Sequence, residues 1–316
     1  MMLIDQNIDE DAKGKTVEAL AKSRQIRSNF IARFGLVPCS ILKHSRQDRA
    51  IDHAVEERSY EKTSHRHLAE IHGIVDEARK RAFETSRRGV RGSSYPALSR
   101  FSQNVGRIIT EFYCPKKGIV FDPFAGHNSR MQLVYNLDRH YVGFDISKTF
   151  MEANKAIREE LLERDAQSLI RRDVSIQLFE QSSAKTPLAS NYYDFTITSP
   201  PYWDIEYYGD EPEQLGKNKT YWGFMDAIGS HIRENYRVLK PHTYCCWFVN
   251  DFRKDGQYYP YHSDLIPYFE DAGFKLHTIY IVDLGQPVNQ AFVQVIEKTM
   301  IFPKQHEYCM VFKKGG

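Results

Sequence analysis

KGIVFDPFAGHNSRMQLVYNLDRHYVGFDIS, residues 117–147, decides the fold. An apolar run of strand length ends in Asp122 and a Pro-Phe-Ala-Gly turn, a helix follows over 128–137, and a second strand ends in Asp145. Outward from this unit the alternation continues. A helix over 99–113 precedes it, and a helix over 148–163 and a strand near 174–179 follow. Strand DFTITSPP (194–201) leads through a loop to helix 221–239 and strand HTYCCWFV (242–249). Helix 260–272, strand FKLHTIYIVDL (274–284), a long loop and strand EYCMVFKK (307–314) close the chain. Strands alternating with helices predict an α/β, Rossmann-like, mostly parallel sheet. No helix separates the last two strands, so they are expected to pair as an antiparallel, hairpin-like edge.

In such a sheet ligands sit at the carboxyl ends of the strands. Asp122-Pro123-Phe124-Ala125-Gly126 lets backbone approach a ligand, and the next helix offers its unpaired N–H groups. Asp145, about twenty residues on, can grip both hydroxyls of a ribose. Either aspartate could instead cap a helix, but together they imply a nucleoside-containing cofactor. Neither GxGxxG nor GxxxxGK[ST] occurs, which weighs against a dinucleotide or a P-loop triphosphate site. Strand 194–201 ends in Thr198-Ser199-Pro200-Pro201-Tyr202-Trp203. Two prolines, a serine and two aromatics there make a rigid, polar-edged pocket rim, or simply a strand-terminating turn.

DPFAG followed some 70 residues later by TSPPYW resembles the S-adenosylmethionine-dependent DNA amino-methyltransferases, which modify adenine N6 or cytosine N4. The resemblance covers about 93–316 and includes SSYPALSRFSQNVGRII (93–109), similar to the family's additional cofactor motif. It implies a methyltransferase domain over 93–316 that binds S-adenosylmethionine through Phe101, Asp122, Phe124, Ala125, Gly126 and Asp145. It also implies catalysis by Ser199, Pro200, Pro201 and Tyr202. Ser199 Oγ and the Pro200 carbonyl would accept from the two amine hydrogens, and Tyr202 would stack on a base flipped from double-stranded DNA. Such a transfer needs no metal and no cysteine nucleophile. Serine before Pro-Pro-Tyr is commoner in the family's cytosine enzymes, so N4 is favoured over N6. The family's usual Gly-Ser-Gly-Thr continuation is replaced here by Gly126-His127-Asn128-Ser129-Arg130. The third-strand end, Gln181-Ser182-Ser183, lacks the acid often found near the cofactor adenine.

Residues 1–92 form a separate, mainly helical and basic region, with helices over 14–34 and 62–86 and an extended segment at 35–42. It holds 18 Lys/Arg against 14 Asp/Glu, although the whole chain is only +2. Arg87, Arg88 and Arg91 fall in a cluster suited to phosphates, or to a solvated helix end. Together with Trp203 and the loops at 204–220 and 285–306, this region is expected to contact DNA. His65, His67 and His72 read as a solvated face rather than a metal site. Asn250-Asp251 lines the cleft or caps a helix.

Five cysteines without a CxxC pair argue against a disulfide framework or zinc ribbon and for a reducing cytoplasm. No apolar run approaches membrane length, and the acidic start lacks signal-peptide order. With no endonuclease domain visible, a restriction partner would be a separate chain. RNA amino-methylation, or a catalytically silent nucleic-acid-binding protein with this fold, are the competing readings.

Overall fold

The computed structural model describes residues 22, 25–33, 39–43, 101–126, 129–167, 172–205, 211–285, 296 and 298–316. The chain divides into two compact units, 1–42 and 43–316. In the first, residues 25–33 are helical, within the helix expected over 14–34. A short strand, β1 (Ile41–Lys43), follows. The expected helix at 62–86, the boundary at 92, the histidine cluster and Arg87, Arg88 and Arg91 lie outside the described residues.

The second unit alternates as its sequence dictates. Helix α1 (Gln103–Tyr113) starts at Ser102, whose hydroxyl accepts from Val105 N, and buries Val105, Ile108 and Ile109. Strand β2 (Ile119–Asp122), helix α2 (Ser129–Asn136), strand β3 (His140–Asp145) and helix α3 (Lys148–Gln167) realise the opening stretch. Then come β4 (Ile176–Glu180), β5 (Tyr193–Thr198), a 3₁₀ turn at Leu215–Lys217 and α4 (Tyr221–Val238). Strand β6 (Leu239–Val249) precedes β7 (Phe252–Lys254), β8 (Gln257–Tyr259), α5 (Tyr261–Asp271), β9 (Phe274–Asp283) and β10 (His306–Lys314). Among the described residues no helix is long and apolar enough to cross a membrane.

Seven of these strands run in the order β4-β3-β2-β5-β6-β10-β9. Neighbours from β4 to β6 are parallel, and β10 is antiparallel to both β6 and β9. The sheet is therefore Rossmann-like, and its order reverses between β2 and β5. That reversal opens a crevice at the carboxyl ends of the two strands. Both ends carry the motifs singled out above.

The expected antiparallel pairing of the last two strands is present on this side of the sheet, and β10 is its inner member. It is inserted between β6 and β9, with Cys309, Met310, Val311 and Phe312 all fully buried. These residues are buried on both faces of the sheet, and both edges of the strand are hydrogen-bonded. In β9, by contrast, Lys275 and His277 are exposed.

The β7–β8 hairpin adds to the elements expected from the sequence. It turns at Asp255-Gly256, both with positive φ (51° and 82°), the pattern of a two-residue primed turn. Its pairing stacks Phe252 on Tyr259 with centroids 5.3 Å apart.

Candidate active site

The crevice is a cleft of about 900 Å³, counted to its open mouth. Three groups of residues meet there from distant parts of the chain. Phe124, Gly126 and Arg130 come from the turn after β2, Asp145 and Ile146 from the end of β3, and Ser199, Pro200, Pro201 and Tyr202 from the end of β5. Gln181–Ser183, Gln214, Leu215 and His231 complete much of the wall.

The turn after β2 is held from behind by a buried ionic network. Asp122 is fully buried, and four donors converge on it. Arg130 Nε (2.8 Å) and the Tyr141 hydroxyl (2.8 Å) reach Oδ2, while the Thr198 hydroxyl (2.7 Å) and Phe124 N (3.2 Å) reach Oδ1. Thr198 ends β5, so one carboxylate joins both sides of the switch point. Burial disfavours the Arg130 charge, yet Asp122 beside it raises its pKa above the usual guanidinium value. Burial likewise pushes the Tyr141 phenol well up. Arg130 also donates to the carbonyls of Phe124 and Ala125 (3.1 Å to the latter) and lies 5.5 Å over the Phe101 ring.

Gly126 adopts φ 48° and gives its N–H to Asp145 Oδ2 (2.8 Å), while Ala125 N donates to the Phe144 carbonyl (2.7 Å). The positive φ explains a glycine there. Gly143 is required for another reason. A Cβ at this position would stand 2.5 Å from the Tyr141 ring, which crosses it to reach Asp122.

Asp145 takes the N–H of Gly126 on one oxygen and that of Ser147 on the other (2.8 Å). Burial still raises its pKa to about 6 against the effect of these bonds. Each carboxylate oxygen has a second lone pair for a ligand donor.

At the β5 end, the Tyr261 hydroxyl donates to the Pro201 carbonyl (3.4 Å). The Tyr202 ring meets Tyr261 and Phe252 edge-on at 6.1 and 6.5 Å. Trp203 turns away from the cleft with φ 42°. Its indole N–H goes to the Asn218 carbonyl (2.8 Å), and its ring packs against Tyr221 and Tyr259 under Lys254.

Of the residues expected to bind the cofactor, Phe124, Gly126 and Asp145 line the cleft. Asp122 (0% exposed), Ala125 and Phe101 are buried behind it and support the turn. Asp251 caps a helix: it accepts His262 N (3.0 Å) and Nδ1 (2.7 Å) at the start of α5. Although burial opposes it, hydrogen bonds from His262 and Tyr258 hold its carboxyl below the ordinary range.

The sequence did not announce Arg130, Tyr141, Thr198 or the pair Ser183–His231. Ser183 Oγ meets His231 Nδ1 and the Pro123 carbonyl, each at 2.7 Å, and His231 lies against Phe124 with ring centroids 4.8 Å apart. Burial lowers the His231 pKa to about 4. An arginine eight residues after a strand-end aspartate was the available signal for Arg130. For His231, a lone histidine on the apolar stripe of α4, there was none.

A family model described as N6/N4-type DNA methylase matches residues 99–156 and 193–316. Over 114 residues the chain is 28% identical to the orphan methyltransferase M.BamHII of Bacillus amyloliquefaciens. That match takes in 35% of this chain and spans 38% of the relative's length. Among solved structures, it is similar to a SAM-dependent methyltransferase from Methanosarcina mazei. There the identity is 10% and the TM-score 0.44, over 66% of this chain and 97% of the other. It is also similar to a candidate DNA modification methylase from Thermus thermophilus, with 21% identity and TM-score 0.30 over 41% and 48% of the two chains.

Proposed function

Because the chain belongs to the N6/N4 DNA methylase family, we propose that it transfers a methyl group from S-adenosylmethionine to an exocyclic amine of a DNA base. The cytosine N4 atom is the favoured acceptor over adenine N6. The observation that carries this reading is convergence. Ser199–Tyr202 and the Asp122–Gly126 turn, far apart in sequence, face one cleft with Asp145.

The donor set fits the cofactor. Asp145 has lone pairs for two ribose hydroxyls, and the Phe124–Gly126 backbone is fixed by Asp122, Arg130 and Phe144 before any ligand arrives. When bound, S-adenosylmethionine supplies an electrophilic methyl on a sulfonium.

Ser199 Oγ and the Pro200 carbonyl accept from the two hydrogens of the target amine and draw its lone pair out of conjugation with the ring. The contact from Tyr261 to the Pro201 carbonyl keeps the Pro-Pro turn still. Tyr202, braced edge-on by Phe252 and Tyr261, stacks on the extruded base. Catalysis is thus orientation and hydrogen bonding by groups already in place.

Recognition belongs to the N-terminal region, residues 1–92, and to the two loops flanking the base site. Of the first loop, Gln214 and Leu215 reach the cleft. The second presents Met300 and Phe302, 87% and 84% exposed.

The test is incubation with labelled S-adenosylmethionine and unmodified duplex DNA, followed by nucleoside mass spectrometry. N4-methylcytosine is expected. N6-methyladenine alone would overturn the choice of base, and label confined to RNA or absent from both would overturn the function.

A further inference from the structure

Resting on the preceding reading of the cleft and deepening it, we propose that His231 is a specificity-determining residue for the cofactor. Its Nε2 accepts a hydrogen bond from the 6-amino group of the adenine.

One proton decides which nitrogen is free. A carbonyl has none to give, so the Ser183 hydroxyl, 2.7 Å from the Pro123 carbonyl, must donate to it. The same oxygen lies 2.7 Å from His231 Nδ1 and can meet that nitrogen only as an acceptor. Nδ1 therefore carries the ring hydrogen. Burial holds the imidazole neutral at physiological pH, with a pKa near 4, so Nε2 bears a lone pair. No described residue meets Nε2 by a hydrogen bond, and the ring lines the cleft. His231 is a buried residue on the cleft wall, yet Nε2 is not among the polar atoms sealed in the protein without a partner, so the nitrogen opposite the locked Nδ1 is left for a donor in the cleft.

Topology says which donor. Asp145 ends β3, and β4 is the next strand outward. Asp145 and the turn after β4 line the same cleft, so a base attached to a ribose at Asp145 would extend along the rim that follows β4. Gln181, Ser182 and Ser183 form that rim and include no carboxylate to receive an amine. His231 brings an acceptor to this stretch from α4 through its bond to Ser183. Adenine offers a two-hydrogen donor at its 6 position, whereas hypoxanthine and guanine offer an oxygen there. Against a locked Nε2 lone pair, that oxygen sets acceptor against acceptor.

The experiment is calorimetric titration of the full chain with S-adenosylhomocysteine and with its 6-oxo counterpart, S-inosylhomocysteine. The parent is expected to prefer the adenosyl compound by about tenfold or more, the scale of one net hydrogen bond plus the cost of an opposed pair. His231→Phe should weaken the adenosyl compound about tenfold, leave the inosyl compound unchanged, and erase the preference. His231→Gln keeps an acceptor and should retain part of it. Ser183→Ala frees the tautomer and should also narrow it, so the idea stays testable where His231→Phe does not fold. A preference undiminished in these variants would overturn the assignment of His231. A parent that binds neither compound would instead overturn the cofactor reading on which it stands.

Discussion

Removing either partner of the buried pair behind the cleft should be costly, but by unequal amounts. Arg130→Met leaves the fully buried Asp122 carboxylate without its cation. Three neutral donors remain on it: Phe124 N–H and the hydroxyls of Thr198 and Tyr141. They continue to solvate the charge, and the Phe124 and Ala125 carbonyls lose the Arg130 donor, so the loss should reach at least the low end for a broken buried pair, about 3 kcal/mol. Asp122→Leu strands a buried guanidinium and leaves all three donors without their acceptor. Each orphaned group costs about 1 kcal/mol or more, which brings the total to about 5 kcal/mol or above. For a domain of this size about 3 kcal/mol lowers the melting temperature by about 6–12 °C, and Asp122→Leu should fall further. Scanning calorimetry of both variants beside the parent measures the two costs. If Arg130→Met melts within about 2 °C of the parent, or below Asp122→Leu, the network is not the support described here.

Asp145→Ala should weaken S-adenosylmethionine binding about a hundredfold or more through the loss of two charge-assisted hydrogen bonds, and unchanged affinity by calorimetry would remove Asp145 from the ribose. Its folded-state pKa near 6 stands above the ordinary aspartate value, so the folded protein holds the extra proton between the two. This group's contribution to stability therefore declines as pH rises through that window. Cofactor affinity should climb as pH rises through about 6, about tenfold between pH 5 and pH 7, because the carboxylate is the form that accepts both hydroxyls. Ser199→Ala and Tyr202→Ala should each suppress methyl transfer and leave cofactor binding nearly intact; transfer near the parent rate in either would refute their roles at the base. Neutralising Arg87, Arg88 and Arg91 together should weaken DNA binding on all sequences and flatten its salt dependence, and an unaltered salt slope would leave these residues as a solvated helix end.

What could be read directly was whatever local pattern determines. The strand–helix alternation from 117 to 147 and the apolar runs at 194–198 and 242–249 became elements within a few residues of their expected bounds. The cleft residues at strand ends were legible because a parallel sheet brings such ends together. Position within the sheet was harder, since hydrogen-bonding order is non-local. The unbroken apolar stretch Cys309–Phe312 is a local trace of the inner place of β10. The Asp255-Gly256 pair is a hairpin signal carried by the sequence itself. Arg130 stands eight residues after Asp122 in a departure from the family pattern, but its worth depends on Tyr141 and Thr198 arriving from two other strands. His231 could not be found from sequence. Its tautomer is set by a serine 48 residues away and a carbonyl far earlier still.

The place of β10 also constrains how the molecule is made. Synthesis delivers β6, then β9, then β10, yet β6 and β9 are joined only through β10. Until His306–Lys314 has left the ribosome, β6 has one side unpaired and β9 lacks its β10 partner. The parallel half, with the whole Asp122–Asp145–Ser199 cleft, can assemble during translation, while the antiparallel half waits. In that interval β6, apolar at its carboxyl half, and β9 present open backbone at the same moment, which is the condition for pairing with another nascent chain. Slow translation or chaperone scarcity over the last strand should therefore appear as aggregation rather than as loss of the cleft's own geometry.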